Sequence, residues 1–334
     1  MPLNFAVLGA GRIGKVHAQG IAANSDARLV AIADALPDAA TSLADMYNCE
    51  VRSIDTIIAS GDIDAVVICT PTDTHADLIE RSVRAGKAVF CEKPIDLSLR
   101  RVKDCLKVVE SEKGRLMVGF NRRFDPDFMA VHGAIARGDI GAVEMVTITS
   151  RDPGAPPYEY ITRSGGIFRD MTIHDFDMAR WLLGEEVESV QAAASVLVDP
   201  KIGELGDFDS VNVILRTASG KQAVITNSRR ATYGYDQRIE VLGSKGVVSA
   251  QNTAEANIEI ADASGYRRPP LLNFFMTRYI AAYANEMAGF IHAVNTGGPM
   301  PTTGQDGLIA LAIADAAVMS VAKGRVVKVS EVAG

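Results

Sequence analysis

Three residues have the types and spacing needed to remove a proton from an alcohol: Lys93, Asp170 and His174. A histidine suits this task because the pKa of a free imidazole lies close to neutral pH. A helix over 170–183 places Asp170 and His174 on one face, since residues four apart are offset by only about 40°. An ammonium such as that of Lys93 stabilises an oxygen that gains negative charge. A surface lysine and a structural Asp–His pair are the ordinary alternatives.

A glycine motif lies far upstream, where an apolar run meets a helical stretch. Gly9, Gly11 and Gly14 complete a G-x-G-x-x-G pattern. The first glycine permits a tight turn, the second lets the backbone approach a pyrophosphate, and the third lets the helix pack on the strand. Asp34 ends the next apolar run, where a carboxylate accepts hydrogen bonds from ribose hydroxyls and repels a 2'-phosphate. The motif therefore predicts NAD, although Arg12 is compatible with NADP and Asp34 is also a suitable helix N-cap.

Two further segments end predicted strands of the same sheet. They are 69–75, with a Thr-Pro-Thr turn, and 90–94, which ends in Glu-Lys-Pro. Ligands of open α/β sheets lie outside the carboxyl ends of the strands, so both segments are expected beside the cofactor. A proline-stiffened turn with threonine caps explains the first segment equally well. The residues expected to contact the dinucleotide are Gly9, Gly11, Arg12, Ile13, Gly14, Asp34, Thr70, Pro71, Thr72, His75, Glu92, Lys93 and Asn121.

The chain that carries these motifs alternates apolar runs with helical stretches. Such alternation demands parallel strands covered by helices on both faces, because each crossover helix packs back on the sheet. Residues 1–120 are therefore predicted to form an α/β Rossmann domain with a doubly wound parallel sheet. Its predicted strands are 3–8, 27–33, 65–69, 88–91 and 116–119.

The pattern changes after residue 120. Apolar runs there are separated by turn formers such as Ser219-Gly220 and Gly243-Ser244, which indicates a large, mainly antiparallel open sheet. Residues 121–334 are predicted to form an α+β domain for substrate binding and oligomerisation, with its last helix packed back on the first domain. Predicted strands include 143–150, 211–216, 222–227 and 238–242, and predicted helices are 127–137, 170–183, 273–296 and 304–323.

Composition excludes several classes of protein. The 334 residues carry a net charge of −7, which argues against nucleic acid because phosphate binding needs clustered lysines and arginines. The four cysteines match no zinc-finger spacing, and we expect no metal. No signal peptide is evident, and the alanine-rich segment 308–321 is too short for a membrane span. We therefore expect a cytoplasmic protein.

The motifs together resemble one known family. The chain is similar to the glucose-fructose oxidoreductase and inositol dehydrogenase family in two segments that follow the glycine motif. These are Glu-Lys-Pro at 92–94 and Gly-Gly-Ile-Phe-Arg-Asp-Met-Thr-Ile-His-Asp at 165–175. The similarity covers nearly the whole chain. Segments 119–125 and 233–236 most resemble the bacterial inositol 2-dehydrogenases of that family. The resemblance implies that Lys93, Asp170 and His174 are the family's catalytic lysine, aspartate and histidine.

The resemblance also implies a reaction and an assembly. We expect oxidation of a ring hydroxyl of myo-inositol to the ketone with hydride transfer to NAD, while His174 takes the proton and Lys93 holds the oxygen. A homotetramer is expected through the outer face of the second sheet, and the apolar residues of 211–215 indicate that both faces are covered. The residues expected to bind substrate are Lys93, Arg123, Asp152, Asp170, His174 and Tyr235.

Three other interpretations remain open at this point. An NAD(P)-dependent dehydrogenase of scyllo-inositol or a pyranose sugar would use the same three catalytic residues. A nucleotide-sensing regulator would keep the Rossmann fold without needing the Lys, Asp and His. A scaffold protein would leave the glycine motif unexplained.

Overall fold

The computed structural model describes residues 2–333 and divides them into two compact units. The first unit consists of residues 2–124 and 281–309, and the second of residues 125–280 and 310–333. The sequence predicted a division at residue 120, with the last helix packed back on the first domain. By contacts, residues 281–309 also belong to the first unit.

The first unit contains a six-stranded parallel sheet with the order β3-β2-β1-β4-β5-β6. The order reverses between β1 and β4, which both pair in parallel with neighbours on either side. This topology confirms the predicted doubly wound Rossmann fold. The strands are β1 Leu3–Leu8, β2 Ala27–Ala33, β3 Glu50–Val51, β4 Ala65–Ile68, β5 Ala88–Glu92 and β6 Leu116–Gly119.

Helices cover both faces of this sheet, so its central strands are apolar throughout. All four residues of Ala65–Ile68 are buried, as expected for a strand covered on both faces. Phe290 packs edge-on against both Phe5 and Phe90, and thus joins the later segment 281–309 to the core. The helices of this unit are α1 Arg12–Ala22, α2 Pro37–Tyr47, α3 Ile54–Ala59, α4 His75–Arg84 and α5 Leu99–Ser111.

The second unit contains a seven-stranded mixed sheet with the order β12-β11-β7-β10-β9-β8-β15. Only the β10–β7 pair of this sheet is parallel, so the prediction of a mainly antiparallel sheet is confirmed. A separate hairpin is formed by β13 and β14. The strands are β7 Val143–Arg151, β8 Val187–Ser195, β9 Ser210–Thr217, β10 Gln222–Ser228, β11 Asp236–Gly243, β12 Gly246–Ala250, β13 Ile260–Asp262, β14 Gly265–Arg267 and β15 Val327–Lys328.

Helices pack on one face of the second sheet. Two of the helices predicted from the sequence are interrupted in the structure. The helix predicted at 170–183 is divided between Asp170 and Ile173, and the one predicted at 273–296 is divided at Tyr279. The remaining helices are α6 Pro126–Ala136, α7 Tyr158–Ser164, α8 Ile167–Asp170, α9 Ile173–Leu183, α10 Pro200–Glu204, α11 Phe275–Arg278, α12 Ile280–Thr296, α13 Gly304–Lys323 and α14 Ser330–Ala333.

The helix α13 has the bounds predicted for it, 304–323, and extends beyond the alanine-rich segment 308–321 that was judged too short for a membrane span. Within residues 2–333 it alone has the length and composition that would let a helix cross a membrane. Half of its most apolar window is buried inside the protein, and Asp315 in this helix accepts a hydrogen bond from Arg169 at 2.7 Å. Burial and an internal ion pair are features of a helix in a protein core.

Candidate active site

The glycine motif forms a tight connection from β1 to α1 in the first unit. Gly9 has φ +104°, a conformation that L side chains rarely adopt, and a Cβ there would lie 2.6 Å from the carbonyl oxygen of Cys69. A Cβ on Gly14 would lie 1.9 Å from the carbonyl oxygen of Gly9. By contrast, a Cβ on Gly11 would meet no atom within 4 Å. The loop is therefore packed on its inner side and open where a pyrophosphate would approach.

The start of α1 has backbone donors available for an anion. Its N-cap is Gly11, and no side chain caps the helix. The first amides of a helix have no partners within it and lie at the positive end of the helix dipole. A dinucleotide pyrophosphate fits this position, as it does in other Rossmann proteins.

Asp34 lies where β2 ends, and its carboxylate holds the glycine loop. One oxygen accepts a hydrogen bond from the amide of Ala10 at 2.6 Å, and the other accepts from the amide of Leu36 at 2.7 Å. The N-cap of α2 is Leu36, not Asp34. A carboxylate has further lone pairs beyond these two contacts, so it still has acceptor capacity for ribose hydroxyls.

The segment after β4 is tied to the segment after β5 by a histidine. His75 is buried, with Nε2 2.7 Å from the carbonyl oxygen of Thr70 and Nδ1 2.8 Å from that of Pro94. The hydroxyls of Thr70 and Thr74 lie 2.6 Å apart. Both ring nitrogens of His75 are therefore used to join two loops, so this side chain supports the cofactor region through these loops rather than by facing outward.

Lys93 follows the last residue of β5, at the carboxyl edge of the parallel sheet, and is half-buried. Glu92, the preceding residue, has Oε1 2.6 Å from Nε2 of His17 on α1. The His17 ring is fully buried and packs against Phe90 and Tyr283. Sequence reasoning missed His17 because only the fold brings α1 next to the end of β5.

Two residues after β6 complete the candidate site of this unit. Asn121 is buried, and its Nδ2 atom has no hydrogen-bond partner among residues 2–333. Since buried donors in proteins are normally hydrogen-bonded, this atom is suited to donate to a bound ligand. Arg123 donates a hydrogen bond to Oδ1 of Asp306 at 3.1 Å. The same Asp306 carboxylate accepts from the amide and the hydroxyl of Thr303. The Thr-x-x-Asp pattern at the start of α13 is a helix-capping pattern, and it could have predicted the contact between Thr303 and Asp306 from the sequence.

Asp170 and His174 lie on either side of the break between α8 and α9 in the second unit. Asp170 is the last residue of α8, and His174 is the second residue of α9. The single helix that we predicted is wrong here, because the amide of Thr172 bonds to the carbonyl of Ile167, five residues back, and that of His174 bonds to Met171, three residues back. The two side chains are close in sequence but do not share one regular helical face.

Each of these two residues is held by a neighbour that the sequence did not reveal. Tyr160 on α7 donates its hydroxyl to Oδ1 of Asp170 at 2.8 Å. Near His174, the hydroxyl of Thr172, the N-cap residue of α9, donates to the Asn227 side chain at 2.7 Å, and Asp175, the next residue after His174, accepts from it at 2.8 Å. The start of α8 is anchored by Asp207, which accepts from the amide of Ile167 at 2.9 Å and is paired with the buried Arg229.

The other expected substrate ligands lie in the second unit. Asp152 follows β7 and is half-buried, with its amide bonded to the carbonyl of Ser228. Tyr235 precedes β11 and is buried, with its ring edge-on to Tyr279 at 5.9 Å. The next residue, Asp236, is fully buried and accepts hydrogen bonds from Arg238, Tyr233 and Asn252. Despite the desolvation, these hydrogen bonds hold the pKa of Asp236 below its usual value.

Two other chemistries would depend on the cysteine thiols or on metal ligands. Burial raises the pKa of the Cys91 thiol well above its usual value, and that of Cys105 to about 12, so neither thiol is a nucleophile near neutral pH. Residues 2–333 contain no group of three His, Cys, Asp or Glu side chains arranged to hold a metal ion.

Family models match both parts of the chain. Residues 3–120 match the oxidoreductase family with an NAD-binding Rossmann fold, and residues 128–249 match the GFO/IDH/MocA C-terminal domain. Fold and motif thus define an NAD-dependent oxidoreductase. The chain belongs to the GFO/IDH/MocA family.

Several relatives match over nearly their whole length. The chain is 68% identical to an inositol 2-dehydrogenase of Rhizobium meliloti, covering 99% of this chain and 100% of the relative. It is 45% identical to a myo-inositol 2-dehydrogenase of Thermotoga maritima, with the same coverage. The structure of a scyllo-inositol dehydrogenase from Lactobacillus casei, with bound NAD(H) and scyllo-inositol, has a TM-score of 0.92 at 28% identity, covering 99% of this chain and 100% of the other.

Proposed function

We propose that the protein oxidises a ring hydroxyl of myo-inositol to give 2-keto-myo-inositol, with NAD as the hydride acceptor. The observation that carries the proposal is the position of Asp170 and His174 at the junction of α8 and α9, in a chain that places Lys93 directly after β5 of the Rossmann sheet. The 68% identity to an inositol 2-dehydrogenase over the whole chain supports this choice of substrate.

Each of the three residues has a chemical role suited to alcohol oxidation. His174 accepts the proton of the reacting hydroxyl through its imidazole. Lys93 donates a hydrogen bond to the same oxygen and stabilises its negative charge as the proton leaves. Asp170 orients the substrate through a neighbouring hydroxyl, with its Oδ1 fixed by Tyr160. NAD, when bound, supplies the acceptor for the hydride of the ring carbon.

The first unit binds the cofactor in this proposal. The open space over Gly11 and the uncapped start of α1 receive the pyrophosphate, and the buried amide of Asn121 donates to the dinucleotide. Asp34 accepts hydrogen bonds from the ribose hydroxyls and disfavours a 2'-phosphate. Thr70, Pro71 and Thr72 border the same region, and His75 holds their loop in place.

Recognition of a polyol needs several polar side chains at fixed positions, because an apolar pocket cannot distinguish one hydroxyl position from another. Arg123, Asp152 and Tyr235 are proposed for this role. Asp306 directs the Arg123 guanidinium through their 3.1 Å hydrogen bond, and Tyr279 fixes the Tyr235 ring. A preference for scyllo-inositol would have to come from these positions, since the same catalytic residues serve both isomers.

We further propose a homotetramer that forms through the outer face of the second sheet. Met145, Leu242 and Val247 lie opposite one another in register across β7, β11 and β12, and each is at least 40% exposed. Ile214 on β9 is 45% exposed. A monomer rarely leaves such a row of apolar side chains in water. The four unpaired cysteines suit the reducing cytoplasm, where we place the enzyme.

The proposal is tested by the rate of NADH formation from NAD with myo-inositol, beside scyllo-inositol and glucose under the same conditions. We expect the highest kcat/KM for myo-inositol. A higher value for either other substrate would move the specificity to that substrate. NAD binding without turnover of any of them would support the nucleotide-sensing alternative.

A further inference from the structure

Asn227 occupies the inner face of the second sheet and joins it to α9. The residue lies on β10 and is 2% exposed. Its Oδ1 accepts a hydrogen bond from the Thr172 hydroxyl at 2.7 Å, and its Nδ2 donates to Oδ2 of Asp175 at 2.8 Å. The same Nδ2 donates to the carbonyl of Ser150 on β7 at 3.2 Å. One amide thus links two residues of the helical segment to the neighbouring strand.

Thr172 lies two residues before His174, and Asp175 directly follows it. The start of α9 has no side-chain cap, and the helical hydrogen-bond pattern is interrupted just before it. Thr172, its N-cap residue, uses its hydroxyl toward Asn227. Because Thr172 and Asp175 are fully buried, both hydrogen bonds are shielded from water and hold the first turn of α9 against the sheet.

Only an amide matches these partners. The site needs one acceptor, for the threonine hydroxyl, and two donors, for a carboxylate and a carbonyl. An aspartate would provide no donor when ionised and would place a second carboxylate next to Asp175. A leucine would leave three buried polar groups without this partner.

We propose that Asn227 is a positioning residue for the base of the reaction: it fixes the first turn of α9 and thereby the position of the His174 imidazole. The inference rests on the proposed function, in which His174 takes the substrate proton. Displacement of a catalytic group by about 1 Å can cost on the order of a hundredfold in rate. The clamp formed by Thr172, Asp175 and Asn227 therefore acts on turnover more than on the binding of NAD, which belongs to the first unit.

The test uses the full-length protein and two linked variants. Asn227→Asp brings two carboxylates together, and we expect kcat with myo-inositol to fall about tenfold or more near neutral pH. Adding Asp175→Asn restores a donor opposite the new carboxylate, so the double variant should recover to within about threefold of the wild-type kcat. The Kd for NAD should stay unchanged in both. Asn257→Asp is the matched control, since Asn257 is exposed in the second unit and lies outside the strands of this sheet.

A second pair keeps the test decisive if Asn227→Asp does not fold. Thr172→Val replaces with a methyl the hydroxyl that donates to Asn227 at 2.7 Å and lies 3.3 Å from the carbonyl oxygen of Ile167, whereas Thr172→Ser keeps that hydroxyl. We expect a clear loss of kcat in the valine variant and a nearly unchanged kcat in the serine variant. A wild-type kcat in Thr172→Val, or a folded double variant with no recovery, would overturn the inference.

A readout independent of turnover separates this inference from the proposed function. The ring signals of His174 can be assigned by NMR among the five histidines with a His174→Gln variant. We expect these signals to shift or broaden in Asn227→Asp and to return in the double variant. If the wild type does not oxidise inositol, the proposed function fails, and the NMR result alone then tests the role of Asn227. Unaltered His174 signals in Asn227→Asp would contradict the inference that Asn227 positions His174.

Discussion

Nε2 of His17 lies 2.6 Å from Oε1 of Glu92, the residue that precedes Lys93 in the chain. The histidine is fully buried on α1, and Glu92 is the last residue of β5. The helix that begins at the glycine motif is thus bonded directly to the segment that carries the proposed catalytic lysine. The cofactor loop and Lys93 are therefore parts of one supported structure in the first unit.

Replacement of His17 by leucine should disturb this support. It leaves Glu92 without its hydrogen-bond partner, at a cost of about 1–3 kcal/mol in the free energy of unfolding. We also expect a lower kcat, because the backbone on either side of Lys93 loses an anchor. Chemical denaturation and steady-state kinetics check both effects. His292→Leu, at an exposed position on α12, should change neither, and equal losses in the two variants would argue against a specific role for His17.

Two glycines of the motif should respond differently to alanine. Gly14→Ala forces a Cβ to within 1.9 Å of a backbone oxygen, so we expect a loss of about 1–3 kcal/mol or more in stability. Gly11→Ala meets no protein atom within 4 Å, so Tm should stay close to that of the wild type while the KM for NAD rises. Thermal melts and NAD titrations distinguish the two effects. An unchanged KM in a folded Gly11→Ala variant would show that the pyrophosphate does not approach Gly11.

The pH dependence of stability should include a contribution from Asp236. Its pKa is lowered in the folded protein by hydrogen bonds from Arg238, Tyr233 and Asn252, which outweigh desolvation. Since the folded pKa lies below the unfolded one, the stabilisation is present above the unfolded pKa and is lost as the pH falls through the folded value. Asp236→Asn should therefore weaken the loss of stability in acid. Denaturation at several pH values measures this, with the exposed Asp139→Asn as control; parallel curves for the wild type and Asp236→Asn would refute it.

Replacement of His174 by alanine should separate turnover from cofactor binding. Loss of a general base typically lowers kcat by about a hundredfold to ten-thousandfold. The Kd for NAD should change little, because the cofactor motifs lie in the other unit. Kinetics and calorimetric NAD titration provide the two values. His132→Ala, in which the ring stacked on Trp181 is lost, is a control for general damage to the second unit; a retained kcat in His174→Ala would remove this residue from the mechanism.

Much of the fold could be predicted from the sequence because local patterns determine it. The apolar runs of the first five predicted strands and the glycine motif indicate a doubly wound parallel sheet, and the structure confirms it. The helix predicted at 170–183 is confirmed from Ile173 to Leu183, but its first residues are interrupted for a tertiary reason. Its periodicity is continuous, but Thr172 and Asp175 are bonded to Asn227, about fifty residues away, and no local pattern signals that contact.

The candidate site shows the same division. Lys93, Asp170 and His174 were identified by type, spacing and resemblance. Their supports were not identified, because His17, Tyr160 and Asn227 are ordinary residues until the fold brings them to the site. Asp306 was also not identified, although its Thr-x-x-Asp capping pattern is local and could have been found in the sequence.

The fate of the hydrogen on the reacting ring carbon tests the central claim most directly. The protein would be given NAD and myo-inositol deuterated at carbon 2, and the reduced cofactor would be analysed by mass spectrometry. The account predicts that one deuterium appears in the NADH and that keto-inositol forms in equal amount. NADH without deuterium, or a ketone at another ring position, would contradict the proposed reaction.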